Sequence, residues 1–303
     1  MAQAQYAFMI MNETASANDY LQKGLDYLSR KDYQQAITHF DKVLELNGKA
    51  ESRDAGLKRK TNIDALGSAE LSKNKSIRLE QNFSAVYHRG IAFSAVRNYE
   101  GAISSLTRAI KLKPSASEVI FRRAQIFQGM RKTVEAAGDY TRVIELEPDN
   151  FEAFFNRASC HSGRGALKRK IEDLSKVIEL KPDFLRAYYE RARVFWLDKL
   201  FDEALSDYTK IIELDPGSTG AYYWRGEIFL TLGDTLRGVE ECNKLQQFKP
   251  GSQCFCRHHA NYVEPKFAPG PCSLCSCADF SEAHMGDSLC RCGHLGKMHG
   301  LEY

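Results

Sequence analysis

The chain has 303 residues, room for about two domains at the usual ~150 residues each. Hydrophobic residues make up 43% and charged residues 27%, enough to bury a core and keep the surface wet. The net charge is +3, from 42 basic and 39 acidic residues, which argues against a dedicated nucleic-acid binder and against a polyacidic tail. No stretch approaches about 18 consecutive apolar residues, so no membrane span and no membrane partner is expected.

The N-terminal extension, residues 1–16, reads MAQAQYAFMIMNETAS. It lacks a basic start, and its apolar run is too short for a secretory signal. The expected compartment is reducing: the cytoplasm, with cilium and nucleus left open. A first unit follows at 17–50. Residues 51–82 then read as a polar insertion with partial helix, carrying the basic run Lys58, Arg59, Lys60. Five contiguous units come next: 83–116, 117–150, 151–184, 185–218 and 219–252. Pro114, Pro148, Pro182, Pro216 and Pro250 punctuate them at a constant interval of 34, each closing a similar phrase: AIKLKP, VIELEP, VIELKP, IIELDP and LQQFKP. The last three prolines, Pro265, Pro269 and Pro271, fall in the tail at 253–303.

Small residues recur in the same frame: Gly24, Gly90, Ala124, Ala158, Ala192 and Gly226 early in each unit, then Ala36, Ala102, Ala136, Ala204 and Gly238 later in it. Lys170 is the one exception. Units this short cannot bury an apolar face alone, so the expected solution is a pair of antiparallel helices stacked on neighbouring pairs. Only Gly or Ala lets the two backbones of a pair approach where they cross.

These residues resemble the tetratricopeptide repeat (TPR) family. The resemblance covers the six units and implies an all-α protein: a TPR helical solenoid of six helix-turn-helix repeats, here followed by a small irregular tail. It also implies a concave groove that binds a protein or peptide, without catalysis. In the family frame the fifth residue of each first helix faces that groove. Here the row is Leu21, Tyr87, Phe121, Phe155, Tyr189 and Tyr223, largely aromatic, which offers wide contact area at low entropic cost. The next row, Gln22, His88, Arg122, Asn156, Glu190 and Trp224, varies in charge and size as a specificity row should. Some relatives bind acidic chaperone tails through a carboxylate clamp of Lys, Asn and Arg. Asn156 and Arg186 match a fragment of it, but Phe121, Gln125 and Glu190 occupy other clamp positions, so no standard chaperone carboxylate clamp is expected. The competing reading of the aromatics is packing between helices.

Arg89, Arg123, Arg157, Arg191 and Arg225 also recur. Sixteen residues after the last four stand Asp139, Asp173, Asp207 and Glu241. Each arginine with its own carboxylate suggests ion pairs within a repeat rather than an anion-binding strip. Arg89, opposite Ser105, breaks the rule.

Seven of the nine cysteines and five of the eight histidines lie between residues 254 and 299. They form three clusters: Cys254, Cys256, His258 and His259; Cys272, Cys275 and Cys277; Cys290, Cys292, His294 and His299. Thiolate and imidazole are the ligands zinc prefers, and four close a structural site. Ten of them (Cys254, Cys256, His258, Cys272, Cys275, Cys277, Cys290, Cys292, His294 and His299) are the candidate ligands of two structural zinc ions. A segment so poor in aliphatic residues needs metal to fold. Cys160 and Cys242 read as core.

The leading functional expectation is a non-enzymatic adaptor or scaffold, with the zinc tail as a second interaction or capping module. A ubiquitin-ligase-like enzyme using the tail is the first alternative, but a RING finger would need a further Cys-x-x-Cys. An RNA-binding adaptor is the second. The tail sets Arg257, Lys266, Arg291 and Lys297 against five acidic residues, so nucleic acid is not an expected ligand. Oligomeric state is not legible, nor is the role of the 51–82 segment or the YAFMIM run.

Overall fold

The computed structural model describes residues 2–60, 65–163 and 165–248. Among these residues the chain is all-α, with twelve helices and no strand. It divides after Ser162 into two compact units. The first holds α1 (Ala2–Ser29), α2 (Tyr33–Lys60), α3 (Ala65–Ala95), α4 (Tyr99–Leu112), α5 (Ser117–Gly129), α6 (Thr133–Leu146) and α7 (Phe151–Cys160). The second holds α8 (Ala166–Leu180), α9 (Leu185–Leu197), α10 (Phe201–Leu214), α11 (Thr219–Thr231) and α12 (Thr235–Phe248). Within each unit, helices consecutive in sequence pack against one another, and α1 also reaches α3.

The sequence sets the helix ends locally. A residue before proline is pushed out of the helical region. Accordingly Lys113, Glu147, Lys181 and Asp215 cap α4, α6, α8 and α10 with φ between −133° and −141° and ψ between 83° and 90°. The turn inside a repeat closes differently. Asn98 N–H donates to the Phe93 carbonyl at 2.9 Å, Lys132 to Phe127 at 2.9 Å and Leu200 to Phe195 at 2.8 Å, the long bond of a Schellman cap. The residue before each of these donors is left-handed: Arg97, Arg131 and Lys199 have φ of 60–61°, as does Lys31 in the first repeat.

The crossings need the small residues. A Cβ at Gly24 would come within 2.6 Å of the Phe40 ring, and one at Gly90 within 2.9 Å of Leu106. Ala36, Ala102, Ala136 and Ala204 are fully buried. Lys170 is half-buried on α8.

Residues 51–82 are more regular than the expected insertion. Residues 51–60 prolong α2 and 65–82 open α3. The reason is a polar stripe at helical spacing, which a search for apolar periodicity passes over. Asn47, Asn74, Arg78, Gln81 and Asn82 are all buried. Asn47 donates to Asn82 at 2.9 Å, and Arg78 donates to Asp54. Residues 2–16 belong to α1, continuous with the first repeat.

The arginine row is structural. Arg123 grips Asp139 through two bonds of 2.8 and 2.7 Å, and Arg191 grips Asp207 at 2.9 and 2.6 Å. Arg225 reaches Glu241 with contacts of 2.8–3.1 Å. The remaining guanidinium nitrogen reaches back to the preceding repeat: Arg123 to Thr107 at 2.9 Å, Arg157 to Thr141 at 3.1 Å, Arg191 to Ser175 at 2.9 Å and Arg225 to Thr209 at 3.0 Å. Each of these arginines therefore staples two successive repeats. Arg89 explains its own exception. Its charge partner is Asp41, 2.9 Å away, which holds in the first repeat the place Thr107 holds in the second. The carboxylate has moved from one side of the arginine to the other. Among the described residues no helix is long and apolar enough to cross a membrane.

Candidate functional site

The first unit carries an open cavity of about 410 Å³. One face of α5 forms its wall, with Ser117, Glu118, Phe121, Arg122 and Gln125. The turn between α6 and α7 and the first turn of α7 complete it with Glu147, Asn150 and Glu152. Phe121 packs edge-on against Tyr140 at 5.5 Å between ring centroids and presents its ring at the cavity wall. The Tyr87 hydroxyl donates to Glu118 at 2.6 Å and ties α3 to the rim. Burial, aided by this carboxylate, pushes the Tyr87 phenol up to about 12. Arg122 lies 3.5 Å from the same Glu118.

Glu147 is anchored on the opposite side. The Ser117 hydroxyl donates to one of its oxygens, and Asn150 Nδ2 donates to the other at 2.7 Å. Those bonds hold its carboxyl below the usual glutamate range. Asn150 is built for two tasks, since its side-chain oxygen also accepts Ala153 N–H at 3.0 Å and caps α7.

Of the ten residues expected to line a groove, Phe121 and Arg122 line this cavity and Tyr87 reaches its rim through Glu118. His88 turns inward. Its ring lies 6.0 Å from Phe40 and 4.9 Å from Tyr87, and its Nδ1 meets the Ser84 carbonyl at 2.8 Å. Burial lowers its pKa. Phe155 is buried, and Asn156 is half-buried on α7. In the second unit Tyr189 packs edge-on against Tyr208 at 6.1 Å, and its hydroxyl bonds Ser218. Trp224 sits between Tyr223 and Trp196, at 5.3 and 5.9 Å. Glu190 pairs with Arg193 at 3.2 Å. Much of the aromatic row thus joins neighbouring helices.

The sequence does not single out Ser117, Glu118, Glu147, Asn150 or Glu152, and it places Gln125 only at a clamp position. A signal was available for two of them: Glu118 and Glu152 are the second residues of consecutive repeats. Glu147 and Asn150 flank the punctuating Pro148, where the frame had been read as a boundary rather than a wall.

The ten zinc-ligand candidates between Cys254 and His299 lie outside the described residues. Among the described residues no group of three or more His, Cys, Asp or Glu side chains is placed to hold a metal ion. Cys160 is a buried free thiol, its pKa raised by burial to about 11, and Cys242 is also buried.

Comparisons with known proteins bear on the repeats. A tetratricopeptide repeat family model matches residues 121–183, 171–219 and 201–252, and a second model of that family matches 20–49. No curated protein matches the chain. Among solved structures, one of MamA protein is similar at 19% identity, with a TM-score of 0.51 over 62% of this chain and 98% of that one. A second MamA structure gives 21% identity and a TM-score of 0.50, over 53% of this chain and 94% of that one. MamA from Desulfovibrio magneticus RS-1 gives 16% identity and 0.50, over 55% and 94%. Identity this low speaks for the fold alone. The family matches together cover residues 20–49 and 121–252, more than half of the 303 residues, and the chain belongs to the tetratricopeptide repeat family.

Proposed function

We propose that the protein is a non-enzymatic adaptor that binds a peptide or protein surface on the face of the first unit where Tyr87, Phe121 and Arg122 sit. The observation that carries this is the cavity itself. It has an aromatic ring in its wall, polar groups of both charges and a volume within the range of ordinary ligand sites. Phe121 supplies apolar contact, while Arg122, Gln125 and Asn150 supply donors that can meet a peptide backbone. The residues that staple the repeats keep this face in place before any ligand arrives, which lowers the ordering cost of binding. Cys254, Cys256, His258, Cys272, Cys275, Cys277, Cys290, Cys292, His294 and His299 add a second module in this reading, folded around two structural zinc ions. That part rests on ligand type and spacing in the sequence.

The test is selection of peptides from a displayed library on the immobilised full-length protein, followed by titration. Phe121→Ala combined with Arg122→Ala should weaken the selected peptides at least tenfold and leave the helical signal and melting temperature near those of the parent. Failure to select any peptide, or selected peptides indifferent to both substitutions, would place binding elsewhere.

A further inference from the structure

The charge around the cavity is lopsided. Three carboxylates, Glu118, Glu147 and Glu152, face one cation, Arg122. Arg122 and the Tyr87 hydroxyl are both turned to Glu118. Glu147 is satisfied only by neutral donors, the Ser117 hydroxyl and the Asn150 amide, which orient its charge without cancelling it. Glu152 stands exposed in the first turn of α7. Neither Glu147 nor Glu152 has a cation within ion-pair reach among the described residues.

A bare metal ion does not fit this arrangement, because no three ligating side chains come together here. A basic side chain does. Its aliphatic stem can lie along the Phe121 ring, and its head can meet carboxylates at the other wall. Cation and ring attract one another as well.

We propose that the cavity takes an arginine or lysine side chain from a basic peptide partner, with the stem against Phe121 and the cationic head against Glu147 and Glu152. This rests on the groove reading above and names the chemistry of its ligand.

The probes are three fluorescein-labelled nonapeptides, of alternating arginine–alanine, glutamate–alanine and glutamine–alanine, titrated into the full-length protein by fluorescence anisotropy. The arginine peptide should bind at least tenfold more tightly than the other two and should weaken as salt is raised. Glu147→Gln with Glu152→Gln should reduce that binding at least tenfold at an unchanged melting temperature. Glu152→Lys, a surface change, should do the same if the double variant folds poorly. Equal binding of the three peptides, or arginine-peptide binding indifferent to both variants, overturns the proposal. So does absence of binding by all three, in which case the library selection still decides the groove reading. If the glutamate or glutamine peptide binds and Phe121→Ala abolishes it, the groove stands and the basic-ligand assignment falls.

Discussion

Arg191 on α9 and Asp207 on α10 meet through two parallel hydrogen bonds of 2.9 and 2.6 Å, in a place where Asp207 is only 3% exposed. Burial raises the Asp207 pKa more than Arg191 lowers it. For an acid, a raised folded-state pKa means that the contribution favouring folding is present at low pH and fades as pH rises through that value. At neutral pH the pair therefore does not fully offset the desolvation of the carboxylate. Arg191 also donates to Ser175 at 2.9 Å, which ties the pair to the helix before it.

Breaking this pair from one side should hurt more than removing it. Arg191→Ala should destabilise by about 3 kcal/mol, because it strands a buried carboxylate. Arg191→Met combined with Asp207→Leu should lose clearly less than the sum of the single changes, with coupling of about 1–3 kcal/mol in a double-mutant cycle by urea denaturation. Additive losses would show that the two side chains do not act as a unit.

The crossing at Gly24 should be intolerant of a methyl group. The Cβ of an alanine would meet the fully buried Phe40 ring at 2.6 Å, and a ring held on all sides cannot retreat. Gly24→Ala should cost about 1–3 kcal/mol. Adding Phe40→Leu should recover part of that loss, which distinguishes the clash from a change in the unfolded chain.

The left-handed turn residues point the other way. Lys199 sits at φ 61° with no glycine's freedom. Lys199→Gly should stabilise by about 0.5–1 kcal/mol, the relief of strain less the entropy glycine brings to the unfolded chain. Gly233→Ala, at φ 83°, should destabilise. The two melting shifts should have opposite signs.

His88 predicts a pH dependence. Burial depresses its pKa below the ordinary histidine value. Its neutral form is the one the fold accepts, so the stability it contributes is complete above the unfolded pKa and is lost as pH falls through the lower folded value. The melting temperature should fall between about pH 7 and pH 5, and the fall should be smaller in His88→Gln.

For the tail, metal analysis of protein purified without added zinc should return two zinc ions per chain. Chelation should leave the helical signal of the repeats intact, because the repeats bury their own apolar faces by stacking. Protein free of zinc, or repeats that melt on chelation, would remove the zinc module as proposed.

The repeats were legible because their grammar is local. A proline ends a helix wherever it stands, and a glycine at a crossing is needed whatever the partner's name. Pro114 to Pro250 and the small residues from Gly24 to Gly238 therefore revealed the helix pairs before any packing was known. The carboxylate half of the arginine staple was legible too, because Arg123 and Asp139 share one repeat at a spacing that recurs.

What escaped were pairings between repeats. Thr107, Ser175 and Thr209 belong to the helix before each arginine, and nothing in a single repeat marks a hydroxyl as its partner. Asp41 serves Arg89 across the 51–82 segment, where the frame is shifted. That segment reads as a polar insertion with only partial helix because its helical period is written in Asp54, Arg78 and Asn82 rather than in leucines. The cavity followed the same rule. The sequence alone determined which helices pair and where they cross, because those constraints act within a few turns of chain. Only the tertiary structure decided that Glu147, Asn150 and Glu152 stand across from Phe121 and Arg122, because the wall of a site made by two repeats depends on how one packs on the next.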